Sequence, residues 1–136
     1  MTKTKKTTRG LSDSNLLKLR RQVVFKNFND CCFFCGQHKS QVPLEDHHIV
    51  KRKNFLLRYD WRNSILVCKY VCHSYAETPT GKHKIDEYLE STGFREYLQE
   101  RVGSCKQWFV ERGISRNDFL LQIYHDLKSK LEEPPF

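Results

Sequence analysis

The sequence predicts an α+β protein that is mainly helical, and three features of the chain support this. An apolar stripe at helical spacing begins near residue 12, and further helical patterns fill residues 82–132. Between them, two short apolar runs are typical of a two-stranded hairpin, and a cysteine pair lies on each side of it. The expected architecture is a small cysteine-bound core between an N-terminal helix and a C-terminal helical segment.

The composition favours an intracellular protein with a polyanionic partner. The 136 residues carry 24 Lys and Arg against 16 Asp and Glu, a formal net charge of +8, and such an excess favours nucleic acid. No apolar stretch approaches the roughly 18 residues that a membrane span needs, and the basic start is not followed by the apolar region of a signal peptide. We therefore expect no membrane partner and a cytoplasmic location.

The chain divides into three parts by pattern. Residues 1–10, MTKTKKTTRG, are basic and almost without apolar side chains, so we expect a disordered tail. Residues 11–81 are expected to hold the N-terminal helix and the cysteine-bound core. Residues 82–136 are expected to form a helical extension packed on that core.

The N-terminal helix is the first element. Ser12 or Ser14 can cap a helix that runs to about Phe28. Its apolar stripe, which we expect to face the core, is formed by Leu16, Leu17, Leu19, Val23, Val24 and Phe25. A basic stripe is formed by Lys18, Arg20 and Arg21.

Two cysteine pairs predict a structural zinc site. Cys32 and Cys35 stand in CFFCG, where a two-residue gap lets both thiolates reach one ion and the glycine permits a tight turn. Cys68 and Cys72 follow 33 residues later, with three residues between them rather than two, and Cys31 is a competing ligand. Because an intracellular compartment is reducing, metal binding is favoured over disulfides.

The core between and after these pairs is expected to be a hairpin and a short helix. Pro43 and the short runs around Leu44 and at 48–50 predict an irregular hairpin, and SILV at 64–67 predicts its partner strand. A short helix is expected after Cys72 and should end at TPTG, residues 78–81, since proline and glycine interrupt helices.

Four helical patterns follow. KHKIDEYLEST and GFREYLQERV each place apolar residues on one face, and residues 104–112 predict a further turn or two. The last helix, in ISRNDFLLQIYHDLKSKLEE, opens with Ser115 and Asp118 at capping-box spacing.

Four residues in and around the hairpin point to chemistry at a phosphodiester: His47, His48, Asn63 and His73. A neutral imidazole can take a proton from water near neutral pH, and a divalent ion can neutralise charge on the phosphate. His48 cannot both accept this proton and coordinate the ion. Neighbouring residues of a regular strand face opposite ways, so His47 and His48 share one centre only where the chain bends.

The motifs CFFCG, DHHIV, RNSILVC and CH, in this order, resemble the zinc-ribbon branch of the HNH endonucleases, which have a ββα-metal centre. The resemblance implies that His47 is a ligand of a catalytic divalent ion, such as Mg²⁺, Mn²⁺, Ni²⁺ or Zn²⁺. It also implies that His48 is the general base, that Asn63 orients this base and that His73 is a helical metal ligand. The RYDWRN approach to Asn63 and the downstream helices also resemble the phage NinG (Rap) recombination proteins.

Two assignments stay open in the sequence. In the commoner form of the motif, Asp46 would be the metal ligand and His47 the general base. The spacing to Asn63 favours His48 as the general base instead. Glu77 lies one helical turn after His73 and is either the third ligand or a salt-bridge partner of Lys82 or Lys84. His83 is a fallback ligand.

The cations around the proposed centre are candidate phosphate contacts: Lys51, Arg52, Lys53, Arg58 and Arg62. Such contacts hold DNA without reading its sequence. Tyr59 and Trp61, within the same stretch, either contact DNA or pack beneath it.

The sequence thus predicts a metal-dependent DNA endonuclease of HNH type. The resemblance implies 5′-phosphate and 3′-hydroxyl products, and its phage branch implies branched recombination or replication DNA. The alternatives are a non-catalytic zinc-ribbon DNA-binding or phage accessory protein, and a protein whose C-terminal helices bind a partner.

Overall fold

The computed structural model describes residues 11–134 and confirms the α+β fold class. Helices predominate around one two-stranded antiparallel sheet. In chain order the elements are α1 (Asp13–Asn27), β1 (Leu44–His48), α2 (Phe55–Arg58), a 3₁₀ helix (Trp61–Asn63), β2 (Ser64–Cys68), α3 (Cys72–Tyr75), α4 (Pro79–Thr92), α5 (Phe94–Gln99), α6 (Cys105–Arg112) and α7 (Arg116–Glu132). The tail predicted for residues 1–10 lies outside the described residues.

Helix α1 forms where the sequence predicts it. The side chain of Ser12 accepts a hydrogen bond from the backbone N–H of Asn15 at 3.3 Å, which caps the first turn. Leu16, Val23 and Val24 are buried in the main core. The helix is therefore held both by its cap and by its apolar face.

The hairpin is antiparallel, and its register pairs Leu44 with Cys68 at one end and His48 with Ser64 at the other. Strand β1 ends at His48, before the expected apolar pair Ile49 and Val50. The reason is that the N–H of Val50 donates to the side chain of Asn63 at 2.7 Å, in place of a strand partner. One end of the hairpin thus carries a cysteine, and the other carries a histidine.

The short helix α3 ends at Tyr75, shortly before TPTG, and the next helix, α4, starts within TPTG at Pro79. Proline is compatible with the first helical turn, where its missing N–H has no intrahelical partner to lose. Pro79 occupies that turn, and the Thr78 hydroxyl accepts a hydrogen bond from the N–H of Gly81 at 3.1 Å. Helix α4 therefore crosses residue 81, so the boundary predicted between 81 and 82 falls within a helix.

Substituting Gly81 by alanine should destabilise the protein. A Cβ at this position would lie 2.0 Å from the backbone oxygen of Tyr75, so the chain between α3 and α4 must move, at a cost of about 1–3 kcal/mol. Without this contact, alanine would be the better helix residue. Urea unfolding of Gly81→Ala should show the loss, whereas Gly103→Ala, where nothing lies within 4 Å, should be close to wild type. Equal stability of the two variants would contradict the close approach.

The C-terminal helices share the core of the hairpin and α1. Phe119, Ile123 and Leu127 of α7 are buried in the same cluster as Leu16 and Val24. The ammonium group of Lys26, at the end of α1, donates to the backbone oxygen of Lys130 at 2.7 Å. These contacts place α7 against α1.

The segment between the strands contains elements that the sequence analysis missed. Asn54 caps the short helix α2 through the N–H of Leu57, and the 3₁₀ helix leads into β2. Tyr59 and Trp61 are 5% and 6% exposed, so they pack inside the protein. Among the described residues, no helix is both long enough and apolar enough to cross a membrane.

Candidate metal centre and active-site cleft

The four predicted cysteines come together in one cluster. The sulfur atoms of Cys32, Cys35, Cys68 and Cys72 all lie within 4.8 Å of one another, and the sulfurs of Cys35 and Cys68 are 3.3 Å apart. Tetrahedral coordination at a Zn–S distance of about 2.3 Å requires sulfurs roughly 3.8 Å apart. The cluster therefore fits a structural metal ion such as zinc. Within residues 11–134 it is the only group of three or more Cys, His, Asp or Glu with ligand atoms this close.

The first cysteine pair forms a tight turn around its sulfur atoms. Gly36 has a positive φ of 78°, which glycine adopts without strain, and the N–H of Cys35 donates to the sulfur of Cys32 at 3.5 Å. Burial disfavours the Cys32 thiolate, but backbone N–H groups of Cys35, Cys68 and Phe34 outweigh this and lower its pKa to about 7. Metal binding requires that thiolate form.

The extra residue in the second pair is accommodated by a turn. Tyr70 and Val71 are exposed there, and Cys72 begins helix α3. Cys31 lies outside the four-sulfur cluster and directs its thiol to the backbone oxygen of Asn29 at 3.3 Å. It therefore does not replace a ligand of the cluster in this structure.

A cleft of about 820 Å³ contains both histidines of the hairpin. Helix α1, strand β1, the loop after it and helix α3 all contribute to its walls. It is lined by Ser14, Leu17, Lys18, Arg20, Arg21, Glu45, Asp46, His47, His48, Lys51, Arg52, His73 and Glu77. A second cavity of about 300 Å³ shares His47, Lys51 and Glu77 with it and adds Lys82. The two cavities therefore border the same group of side chains.

Within the cleft, two histidines and two carboxylates form a cluster. The Nε2 of His47 lies 3.3 Å from a carboxylate oxygen of Glu77, and the Nδ1 of His73 lies 2.9 Å from one of Glu45. The rings of His47 and His73 are 5.3 Å apart between centroids. Burial lowers the pKa of His47, against the opposing charge of Glu77. Such a set of imidazole and carboxylate donors suits a divalent transition metal.

The carboxylate of Glu77 contacts His47, and not Lys82 or Lys84, which were its expected salt-bridge partners. Besides His47, its carboxylate contacts the ammonium group of Lys51 at 3.8 Å. His83 is 74% exposed at its side chain and lies 3.9 Å from Glu87, outside the cleft lining. The structure thus brings Glu77 to His47 and leaves the fallback ligand elsewhere.

His48 is held by a different contact. Its Nε2 donates to the backbone oxygen of Arg58 at 2.9 Å, which leaves Nδ1 as the ring nitrogen with a lone pair. Burial lowers the pKa of this histidine to about 4, and the charge of Arg20 acts in the same direction. The ring is therefore neutral near pH 7 and able to accept a proton.

Asp46 is engaged by arginine, which bears on the open assignment of the two histidines. Its carboxylate bonds to the guanidinium of Arg20 and lies 3.8 Å from that of Arg21. Arg20 also donates to the hydroxyl of Ser64, the strand partner of His48. The acid that would be the ligand in the alternative register thus has two cationic partners.

The sequence pattern assigns Arg20 to the basic stripe of α1, but the structure places it inside the site. Its side chain is fully buried, and burial lowers its pKa to about 10. A signal was present, because Arg20 follows Leu16 by four residues and precedes Val23 by three, which places it on the apolar face of α1. A cation on such a face requires a carboxylate partner in the core, and Asp46 supplies it.

Asn63 is linked to His48 only indirectly, through the loop between the strands. This buried side chain accepts from the N–H of Val50 and donates to the backbone oxygens of Val50 and Leu57, at 2.7, 2.9 and 3.1 Å respectively. Leu57 directly precedes Arg58, whose backbone oxygen holds His48. Through these hydrogen bonds Asn63 stabilises the loop between the strands.

The five candidate DNA-binding cations divide by position. Lys51 and Arg52 line the cleft and Lys53 is exposed beside them. The guanidinium of Arg58 contacts Asp13 at 3.7 Å and bonds to the backbone of Arg52.

Arg62 contacts carboxylates within the fold and not the cleft. Its guanidinium lies 3.1 Å from Asp60 and 3.3 Å from Asp126 of α7. The hydroxyl of Tyr97 in α5 donates to the same buried Asp60. Arg62 therefore ties the C-terminal helices to the 3₁₀ helix before Asn63.

The fold and the site define a small α+β protein with a four-cysteine metal site and a cleft rich in histidine and carboxylate. Residues 32–77 match the family model described as HNH endonuclease. The matched segment runs from Cys32, the first cysteine of the cluster, to Glu77, and α1 and the helices from α4 onward lie outside it. No curated protein and no solved structure matches the chain.

Proposed function

We propose that the protein is a metal-dependent DNA endonuclease in which His48 is the general base and His47, His73 and Glu77 hold the catalytic divalent ion. One observation carries this proposal: a neutral, oriented imidazole and a separate histidine–carboxylate cluster line the same cleft. The family match agrees with this chemistry, since HNH endonucleases cut DNA.

His48 takes a proton from the attacking water. The contact with the backbone oxygen of Arg58 occupies Nε2, so the proton goes to Nδ1. Asn63 supports this geometry by fixing the neighbouring carbonyl of Leu57. We therefore assign Asn63 a positioning role, exerted through the loop that holds His48.

His47, His73 and Glu77 offer donor types that suit a divalent ion, and all three line the same cleft. When bound, the ion supplies neutralising charge to the scissile phosphate and to the leaving 3′-oxygen. Glu45 holds the Nδ1 of His73, which leaves Nε2 for coordination. The two pairings of Asp46 with arginine favour His47 over Asp46 as the ligand on β1.

Lys51, Arg52 and Lys53 hold flanking phosphates in this proposal. Lys51 and Arg52 line the cleft itself, and all three side chains are exposed. Contacts to phosphate carry no base code, so binding is largely independent of sequence. The resemblance to HNH endonucleases implies products with 5′-phosphate and 3′-hydroxyl ends.

A plasmid-nicking assay tests the function. Protein treated with a mild chelator, which leaves the cysteine-bound zinc in place by metal analysis, is mixed with supercoiled plasmid and then given Mg²⁺, Mn²⁺, Ni²⁺ or Zn²⁺. We expect nicked and linear products only after a divalent ion is added. DNA binding without cutting under every ion would instead identify a non-catalytic zinc-ribbon DNA-binding protein.

We further propose branched DNA as the preferred substrate. The resemblance of the RYDWRN segment and the downstream helices to phage recombination proteins supports this. Cleavage of linear duplex, flap, replication-fork and four-way-junction DNA of matched sequence should show faster cutting of a branched form. Equal rates on all four would overturn the preference and leave the nuclease proposal intact.

A further inference from the structure

Helix α1 forms a large part of the cleft although it lies outside the HNH segment. Five of the thirteen lining residues belong to this helix: Ser14, Leu17, Lys18, Arg20 and Arg21. Lys18 and Arg21 are both exposed, and their three-residue spacing puts them on one side of the helix. The cleft therefore has a second basic border besides the loop that carries Lys51 and Arg52.

Arg20 fixes this border relative to the histidines. Its guanidinium joins Asp46, which directly precedes His47, to Ser64, which pairs with His48 across the hairpin. Asp13, at the start of α1, accepts a hydrogen bond from Tyr59 at 2.6 Å. Helix α1 is thus attached at two points to the element that carries the proposed base and to the loop that orients it.

The charges of the cleft fit a phosphate backbone. Five cations line it, against the three carboxylates of Glu45, Asp46 and Glu77. Asp46 bonds to buried Arg20 and lies 3.8 Å from the guanidinium of Arg21, whose side chain is still 57% exposed, and Glu77 contacts His47 and Lys51. Lys18 and the largely exposed Arg21 therefore present positive charge at the border, where a polyanion would enter.

We propose that Lys18 and Arg21 of helix α1 bind phosphates of the DNA strand that enters the cleft, so that this helix is part of the substrate-binding surface. The inference rests on the proposed nuclease function for the identity of the partner, but it concerns binding and not the chemical step. Two phosphate contacts should contribute a salt-dependent part of the affinity.

The test compares two double variants that lose the same charge. Lys18→Ala with Arg21→Ala removes the border, and Lys106→Ala with Lys128→Ala removes two exposed cations of α6 and α7 outside the cleft lining. Binding of a labelled DNA duplex is measured by fluorescence anisotropy between about 50 and 200 mM salt, without added divalent ion. Thermal unfolding checks that both variants keep the wild-type fold.

The border variant should bind about 10- to 60-fold more weakly at 0.1 M salt, and the slope of log affinity against log salt should fall by about two. The α6–α7 variant should stay within about twofold of wild type. Wild-type affinity in the border variant, an equal loss in both variants, or no DNA binding by the wild-type protein would each overturn the inference. If the border variant loses affinity while the wild-type protein cuts no DNA under any ion, the binding surface stands and the nuclease proposal falls.

Discussion

Substituting His48 by alanine should lower the rate of DNA cutting by about 10²–10⁴-fold, the usual contribution of a general base. The expected loss follows from the neutral ring and the contact of its Nε2 with the Arg58 backbone oxygen. Initial nicking rates at saturating divalent ion measure it. The matched control is His125→Ala, which removes an exposed histidine of α7 and should cut at the wild-type rate.

The response to metal concentration separates the two neighbouring histidines. A His47→Ala variant should regain part of its activity when the divalent ion is raised, because a ligand is lost and the base remains. His48→Ala should stay inactive at every ion concentration, with its DNA affinity unchanged. If His47→Ala behaves as the base variant and His48→Ala is rescued by metal, the assignment is reversed. Cutting at the wild-type rate by both variants would contradict the proposed centre.

Replacing Cys68 by serine should release the structural metal and lower stability by at least about 5 kcal/mol. A four-thiolate site lends much of its binding free energy to folding, and apparent values for zinc-finger peptides reach about 10–16 kcal/mol. For a domain of this size the loss corresponds to a fall in Tm of roughly 15–20 °C. Zinc content per chain and thermal unfolding measure the effect.

The control for this variant is Cys31→Ser, one residue from the cluster but not part of it. It should keep one zinc ion per chain and a Tm close to wild type. Loss of zinc from Cys31→Ser but not from Cys68→Ser would show that Cys31 is the true ligand.

The sequence predicted the elements whose signals are local. The cap at Ser12, the spacing of the cysteine pairs and the apolar run before Cys68 each specify their element through nearby residues, and the structure confirms them. The next helix starts at Pro79 and not at residue 82, because proline is compatible with the first turn of a helix as well as with the stretch after its end. The hydroxyl of Thr78 caps helix α4, and this contact places Pro79 in the first turn of that helix.

The parts that could not be predicted depend on contacts between distant residues. The bond of Arg20 to Asp46 spans 26 residues, and the contact of Arg62 with Asp126 spans 64. No local pattern states whether such an arginine faces DNA or a buried carboxylate. For Asn63 the family resemblance implied an orienting role, but its actual partners, Val50 and Leu57, became visible only with the folded loop.

The register of the hairpin has a practical use in spectroscopy. Cys68 pairs with Leu44 and Ser64 pairs with His48, so four residue steps, about 13 Å, separate the cysteine end of β1 from its histidine end. Cobalt(II) placed in the thiolate site would be a paramagnetic reference at a known position at one end of the hairpin. Its relaxation effect on the His48 ring protons would then report the motion of the base directly, with the zinc-type site serving as the probe.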